Sequence, residues 1–199
     1  MHSPRQTRRD PPLLGVPLGE TLASHTGWVL SVAWARDGDR LLLATGSSDS
    51  VVRLWELTGP DMLTPADETL AGGDGHVLSV AWARDGDRLL LATASEESVV
   101  RLWELTGPDT LTPLGEPLTS HTGRVLSVAW ARDGDRLLLA TASSDSVVRL
   151  WELTGPDTLT PLGEPLTSHT RWVRWRGRGT GTGCCLPPPA ATPWCGCGS

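Results

Sequence analysis

Apolar residues fall in short runs along this chain, and polar residues punctuate them. In residues 121–153, HTGRVLSVAWARDGDRLLLATASSDSVVRLWEL, three runs stand out at 125–130, 137–142 and 147–153. Each has the length of a strand and is rich in Val, Leu and Trp. Asp133-Gly134-Asp135 separates the first run from the second, and Ser143-Ser144-Asp145-Ser146 the second from the third. An Asp-Gly pair supplies the positive φ of a tight hairpin, so Asp37-Gly38, Asp85-Gly86 and Asp133-Gly134 are all predicted turns. Strict alternation in the first run of a unit points Val29, Ser31 and Ala33 one way and Leu30, Val32 and Trp34 the other. Both sets are largely apolar, and Leu41-Leu42-Leu43 is continuous, so these strands are expected to be buried on both faces. Segments of the type Thr58-Gly59-Pro60-Asp61 end the third run, because proline cannot donate to a ladder.

The pattern repeats. Val29, Val77 and Val125 open three copies at a constant step of 48 residues. Between residues 25–72 and 121–168, 8 of the 48 positions differ, so these are near-copies of one unit. A fixed period of this size with several strands in it is the signature of a propeller or solenoid. Residues 17–24 resemble residues 161–168, which places a strand of a fourth type ahead of the first complete unit.

A His-Thr-Gly before a strand, an Asp-Gly turn, a Ser/Thr-rich second strand, an Asp turn and a strand ending in Trp resemble the WD-repeat β-propeller family. The resemblance covers residues 17–173. Here the last dipeptide is Trp-Glu, at Trp55-Glu56, Trp103-Glu104 and Trp151-Glu152, where the family commonly has Trp-Asp. It implies an all-β fold, a partial β-propeller of about three four-stranded antiparallel blades, each with its fourth strand outermost. The expected organisation is a disordered tail at 1–12, blades over 13–173 with units near 25–72, 73–120 and 121–168, and a second disordered tail at 174–199. Propellers close with about four to eight blades. Three blades leave an open arc with sticky edges and an exposed apolar face. Such a chain is expected to be unstable alone or to associate with another copy, for instance as about six blades from two chains.

His, Asp, Ser or Thr, and Trp recur together, which invites a catalytic reading. His121, Thr141 or Ser143, Asp145 and Trp151 have the makings of a Ser-His-Asp site. The family resemblance implies a structural role instead, a buried network in which indole, hydroxyl, imidazole and carboxylate satisfy one another. Repetition favours the network, because a catalytic site is built once and a structural device in every blade. His25, Thr45 or Ser47, Asp49 and Trp55 form the corresponding set in the first unit. The second unit keeps Trp103 but has Gly73 in place of the His and Glu97 in place of the Asp, and is expected to be the weakest blade.

One position behaves differently. Trp28, His76, Arg124 and Trp172 align, although the five residues after the first three are unchanged, Val-Leu-Ser-Val-Ala. In the family the residue opening the innermost strand lies near the rim of the central channel, where partners dock. Ser48, Glu96 and Ser144 precede the turn acid and are expected near the same face. Trp and Arg are frequent interface anchors. The readings here are a protein- or peptide-binding face and drift at an exposed, unconstrained position.

Net charge of −6 argues against a phosphate-tracking surface, so no nucleic-acid partner is expected. Arg5, Arg8 and Arg9 sit in a polar, proline-containing tail that composition assigns to solvent. No apolar run is long enough to span a membrane and no apolar leader core is evident, so an intracellular, cytoplasmic protein is expected. Phe, Tyr, Ile, Asn and Lys are absent, which points to a GC-rich gene rather than a physical constraint. All four cysteines, Cys184, Cys185, Cys195 and Cys197, lie in the last segment without a CxxC pair, so neither metal nor cofactor is expected. An Arg-Gly alternation there also suggests RNA contact, but a reading-frame argument accounts for the whole segment. Back-translated with GC-rich codons and read one nucleotide late, WARDGDRLLLATASSDSVVRLWEL becomes GRGTGTGCCLPPPAATPWCGCGS, which is residues 177–199, followed by a stop. The segment is therefore read as an out-of-frame fourth repeat. The functional expectation is a non-enzymatic scaffold, a fragment of a larger propeller. The alternatives are the repeat portion of a larger kinase or nucleoside triphosphatase and a truncated product without function. No GxxxxGK[ST] or kinase motif occurs in the chain.

Overall fold

The computed structural model describes residues 22–60, 62–71 and 75–167. These form three antiparallel sheets, each with four strands in sequence order. Blade one is β1 (Val29–Asp37), β2 (Arg40–Ser47), β3 (Val51–Leu57) and β4 (Leu63–Ala71). Blade two is β5 (Val77–Asp85), β6 (Arg88–Ser95), β7 (Val100–Leu105) and β8 (Leu111–Leu118). Blade three is β9 (Val125–Asp133), β10 (Arg136–Ser143), β11 (Val148–Leu153) and the short β12 (Leu159–Pro161). The fourth strand is outermost each time, and no helix occurs among the described residues. The fold is all-β, a set of partial propeller blades. The 17–24 segment lies largely outside the described residues. Gly73, Trp172, the 1–12 tail and the 174–199 tail with its cysteines lie wholly outside them.

The first hairpin follows from its glycine. Asp37 pairs with Arg40, leaving a two-residue loop of Gly38 and Asp39. Gly38, Gly86 and Gly134 have φ of 57°, 59° and 59°. Glycine first in a two-residue loop is the type II′ arrangement, whose twist matches that of the strands. A Cβ built on these glycines meets nothing within 4 Å, so the demand is conformational rather than spatial. The second turn carries positive φ on serine, 66° at Ser50, 68° at Ser98 and 68° at Ser146. In blades one and three the turn acid supports it: Val51 N–H donates to Asp49 Oδ1 at 3.1 Å, and Val147 N–H to Asp145 Oδ1 at 2.9 Å.

Two expectations from alternation are corrected. The innermost strands outrun the apolar segment, because pairing continues through Arg132 with Leu137 and Asp133 with Arg136. The two faces are also divided differently. Val29 pairs with Ser47 and Ser31 with Gly46, leaving Leu30 as an inserted residue. The same bulge occurs at Leu78 and Leu126. An inserted residue inverts the phase of everything before it. Val77 and Val80 therefore share one core cluster with Trp82 against it. In blade one, Val29 belongs with Val32 and Trp34, not with Ser31 and Ala33.

The core lies between blades. Residues 42–47 of β2 are all buried, as a strand covered on both faces requires. Ala44, Val52, Leu54 and Leu70 of blade one pack with Val77, Val80, Leu91 and Trp103 of blade two. The same positions one period on, Ala92, Val100 and Leu102 against Val125, Val128, Leu139 and Trp151, join blades two and three.

Candidate functional site

In blade three the indole N–H of Trp151 donates to Thr141 Oγ1 at 3.1 Å, and that hydroxyl lies 2.8 Å from His121 Nε2. His121 Nδ1 is 2.9 Å from Asp145 Oδ2, which also accepts from Thr122 N–H at 3.1 Å. Blade one repeats the chain of bonds through Trp55, Thr45, His25 and Asp49 at 3.1, 2.7 and 2.9 Å. The threonine hydroxyl has one proton to give, and the histidine is much nearer than the Arg149 or Arg53 carbonyl at 3.4 Å. A hydroxyl that donates to Nε2 leaves Nδ1–H to donate to the carboxylate. Gly27 and Gly123 let the preceding loop close on the turn. A Cβ there would lie 2.5 Å from Ser48 Oγ or 2.6 Å from Ser144 Oγ, and within 3 Å of the next backbone nitrogen.

Burial pushes the Asp49 carboxyl up, but bonds from the His25 ring and from the Thr26 and Val51 N–H groups outweigh it and hold it at about 2, below its ordinary 3.8. Asp145 is lowered by the same opposition of burial and hydrogen bonds. Thr141 is 0% exposed, and its oxygen is already engaged by an indole and an imidazole. A nucleophile needs access to substrate, so this geometry supports a structural network rather than catalysis. Blade two retains the Trp103 to Thr93 bond at 3.0 Å. No histidine or aspartate among the described residues completes it.

The Trp-Glu dipeptide has its own partner, which sequence reasoning missed. Arg88 grips Glu104, and Arg136 grips Glu152, each with two bonds of 2.8–2.9 Å, and Arg40 reaches Glu56 at 2.6 Å. The arginine bond lowers all three glutamate carboxyls. The pairs are 16 residues apart in every unit, but that spacing acquires meaning only once strand register is known.

The variable position immediately precedes the innermost strand of each blade. Ser48, Glu96 and Ser144 donate backbone N–H bonds of 2.9 Å to the carbonyls of Trp28, His76 and Arg124, so each lies beside a variable position. Trp28 N–H returns a bond to Ser48 Oγ at 2.7 Å. Trp28 is 81% exposed, and the His76 and Arg124 side chains are 49% and 61% exposed. Glu96 bridges two blades, with Oε2 2.9 Å from His76 Nδ1 and Oε1 2.7 Å from Arg124 Nη2. That link joins residues 20 and 28 apart, and no motif announces it.

Among the described residues, no cluster of three His, Cys, Asp or Glu is placed to hold a metal, and no helix is long and apolar enough to cross a membrane. No curated protein matches the chain. A family profile described as WD domain, G-beta repeat, matches residues 17–56, 68–104 and 112–152. Those stretches cover more than half of the sequence, and each takes in the three inner strands of one blade, the second and third beginning in the outer strand of the blade before, so the chain belongs to the WD-repeat family.

Proposed function

We propose that the chain is a non-enzymatic scaffold whose rim, built by Trp28 and Ser48, His76 and Glu96, and Arg124 and Ser144, receives a protein or peptide partner. WD repeats are generally protein-interaction scaffolds. The observation that carries the finer reading is a contrast at the start of each unit: the strand text Val-Leu-Ser-Val-Ala is constant, while the exposed position just before it holds Trp, His or Arg. The chemistry is mixed. Trp28 offers a large apolar surface, and Arg124 has guanidinium donors left after its contact with Glu96. An extended peptide with an apolar side chain and a carboxylate suits both. Peptides selected from a displayed random library against the full chain test this. Trp28→Ala and Arg124→Ala should each weaken the selected peptides by about ten-fold or more, the scale of an interface anchor. Equal binding to both variants and the unmodified chain would leave drift as the explanation of the rim.

A further inference from the structure

The nonapeptide VLSVAWARD forms β1, β5 and β9, yet its surroundings differ sharply. Val77 is 0% and Val80 5% exposed, while Val29 and Val32, the same residues of the same text, are 49% and 59% exposed. In blades two and three this leading face is covered by the trailing face of the blade before. In blade one no described residue covers it. The converse holds at the other end. Ala44, Val52 and Leu54 on the trailing face of blade one are buried, but Ala140, Val148 and Leu150 of blade three are only half-buried, and Leu166 is 46% exposed.

The polar parts of the seam are divided in the same way. Val80 N–H donates to Ser31 Oγ at 3.1 Å, and Val128 N–H to Ser79 Oγ at 3.2 Å. The third copy of the acceptor, Ser127, is exposed on blade three. The Arg84 guanidinium donates to the Arg36 carbonyl and lies 3.7 Å from Asp37, and Arg132 does the same with Arg84 and, at 3.9 Å, Asp85. Arg36 on blade one and Asp133 on blade three are the matching halves left over, and the Asp133 side chain is 73% exposed. Blade three thus carries one half of a seam already formed twice within the chain, and blade one carries the other.

We infer that two copies of the chain associate head to tail, the trailing face of blade three in each seated on the leading face of blade one in the other. Stoichiometry follows from closure. Propellers close with about four to eight blades. The described residues of one copy supply three blades, those of two copies six and of three copies nine, so two is the number that makes a ring. The two seams are equivalent under a two-fold axis, and the ring leaves no free blade face. The inference is independent of what the rim binds.

Sedimentation of the full chain under reducing conditions tests this, the reductant removing any disulfide between the four cysteines. A species of twice 21.3 kDa is expected at micromolar concentration. Val32→Asp places an unpaired carboxylate in the seam and should raise the dissociation constant by an order of magnitude or more. Should that variant not fold, the charge pair gives a second test. Arg36→Asp and Asp133→Arg should each weaken the dimer, and both an equimolar mixture of the two variants and the double variant should recover it. A chain that stays monomeric, a trimer, a dimer indifferent to Val32→Asp, or charge variants that do not rescue one another would overturn the inference.

Discussion

His121 and Arg124 stand three residues apart ahead of the same strand, and their surroundings have nothing in common. His121 is 6% exposed, bonded at both ring nitrogens, and identical in the first unit. Arg124 is largely exposed, held by one carboxylate from the neighbouring blade, and replaced by Trp28 or His76 in the other units. The comparison teaches where this repeat is free to change. A network member must satisfy two partners at fixed distances, and where the second unit has Gly73 and Glu97 only the Trp103 to Thr93 bond remains among the described residues. An exposed residue such as Arg124 loses little when it is exchanged.

The largest expected effect comes from the buried side of the comparison. Trp151→Ala should cost about 3–5 kcal/mol in denaturant unfolding, through a cavity and the loss of the Thr141 bond. Trp28→Ala, the same substitution on the rim, should cost about 0.5 kcal/mol or less.

Acid should act on the network next. The folded Asp49 carboxyl is held at about 2 against an ordinary 3.8, so its contribution is present above pH 3.8 and is lost as pH falls through 3.8 toward 2. The glutamates paired with Arg40, Arg88 and Arg136 add loss of the same sign below their ordinary 4.5. For Asp49 the shift amounts to about 2 kcal/mol. Stability profiles of the native chain and Asp49→Asn should therefore converge as pH falls through this window. A constant gap between them down to pH 2 would count against the assigned role.

Blade two allows a smaller test in the stabilising direction. Glu97 stands where Asp49 and Asp145 cap the valine two residues on, and Ser98 keeps φ of 68° without such a cap. Glu97→Asp should supply the bond to Val99 N–H and gain about 0.5–1 kcal/mol in unfolding.

Much of this was legible in the sequence. Asp37-Gly38 gives its turn because few residues but glycine accept that φ. His25, Asp49 and Trp55, recurring as His121, Asp145 and Trp151, pointed to the buried network through the family resemblance. What escaped depended on register. Leu30 is inserted into its strand, but where both faces are apolar the pattern does not show which residue is extra. The Arg40–Glu56 pair and the bridge from Glu96 to His76 and Arg124 join different strands or blades, and become visible only when those strands are aligned. The serines at positive φ carry no signal in their own residue type.

In the proposed reading, the buried networks hold the blades and the variable exposed position meets the partner. Melting and peptide binding of His121→Ala and Arg124→Ala, measured side by side, test it most directly. His121→Ala strands the Asp145 carboxylate and should cost about 1–3 kcal/mol, which lowers the melting temperature by several degrees. Arg124→Ala should melt within about a degree of the native chain, since a surface ion pair contributes about 0–1 kcal/mol, yet bind the selected peptide about ten-fold more weakly. Equal melting losses in the two variants, or full peptide binding by Arg124→Ala, would contradict the account.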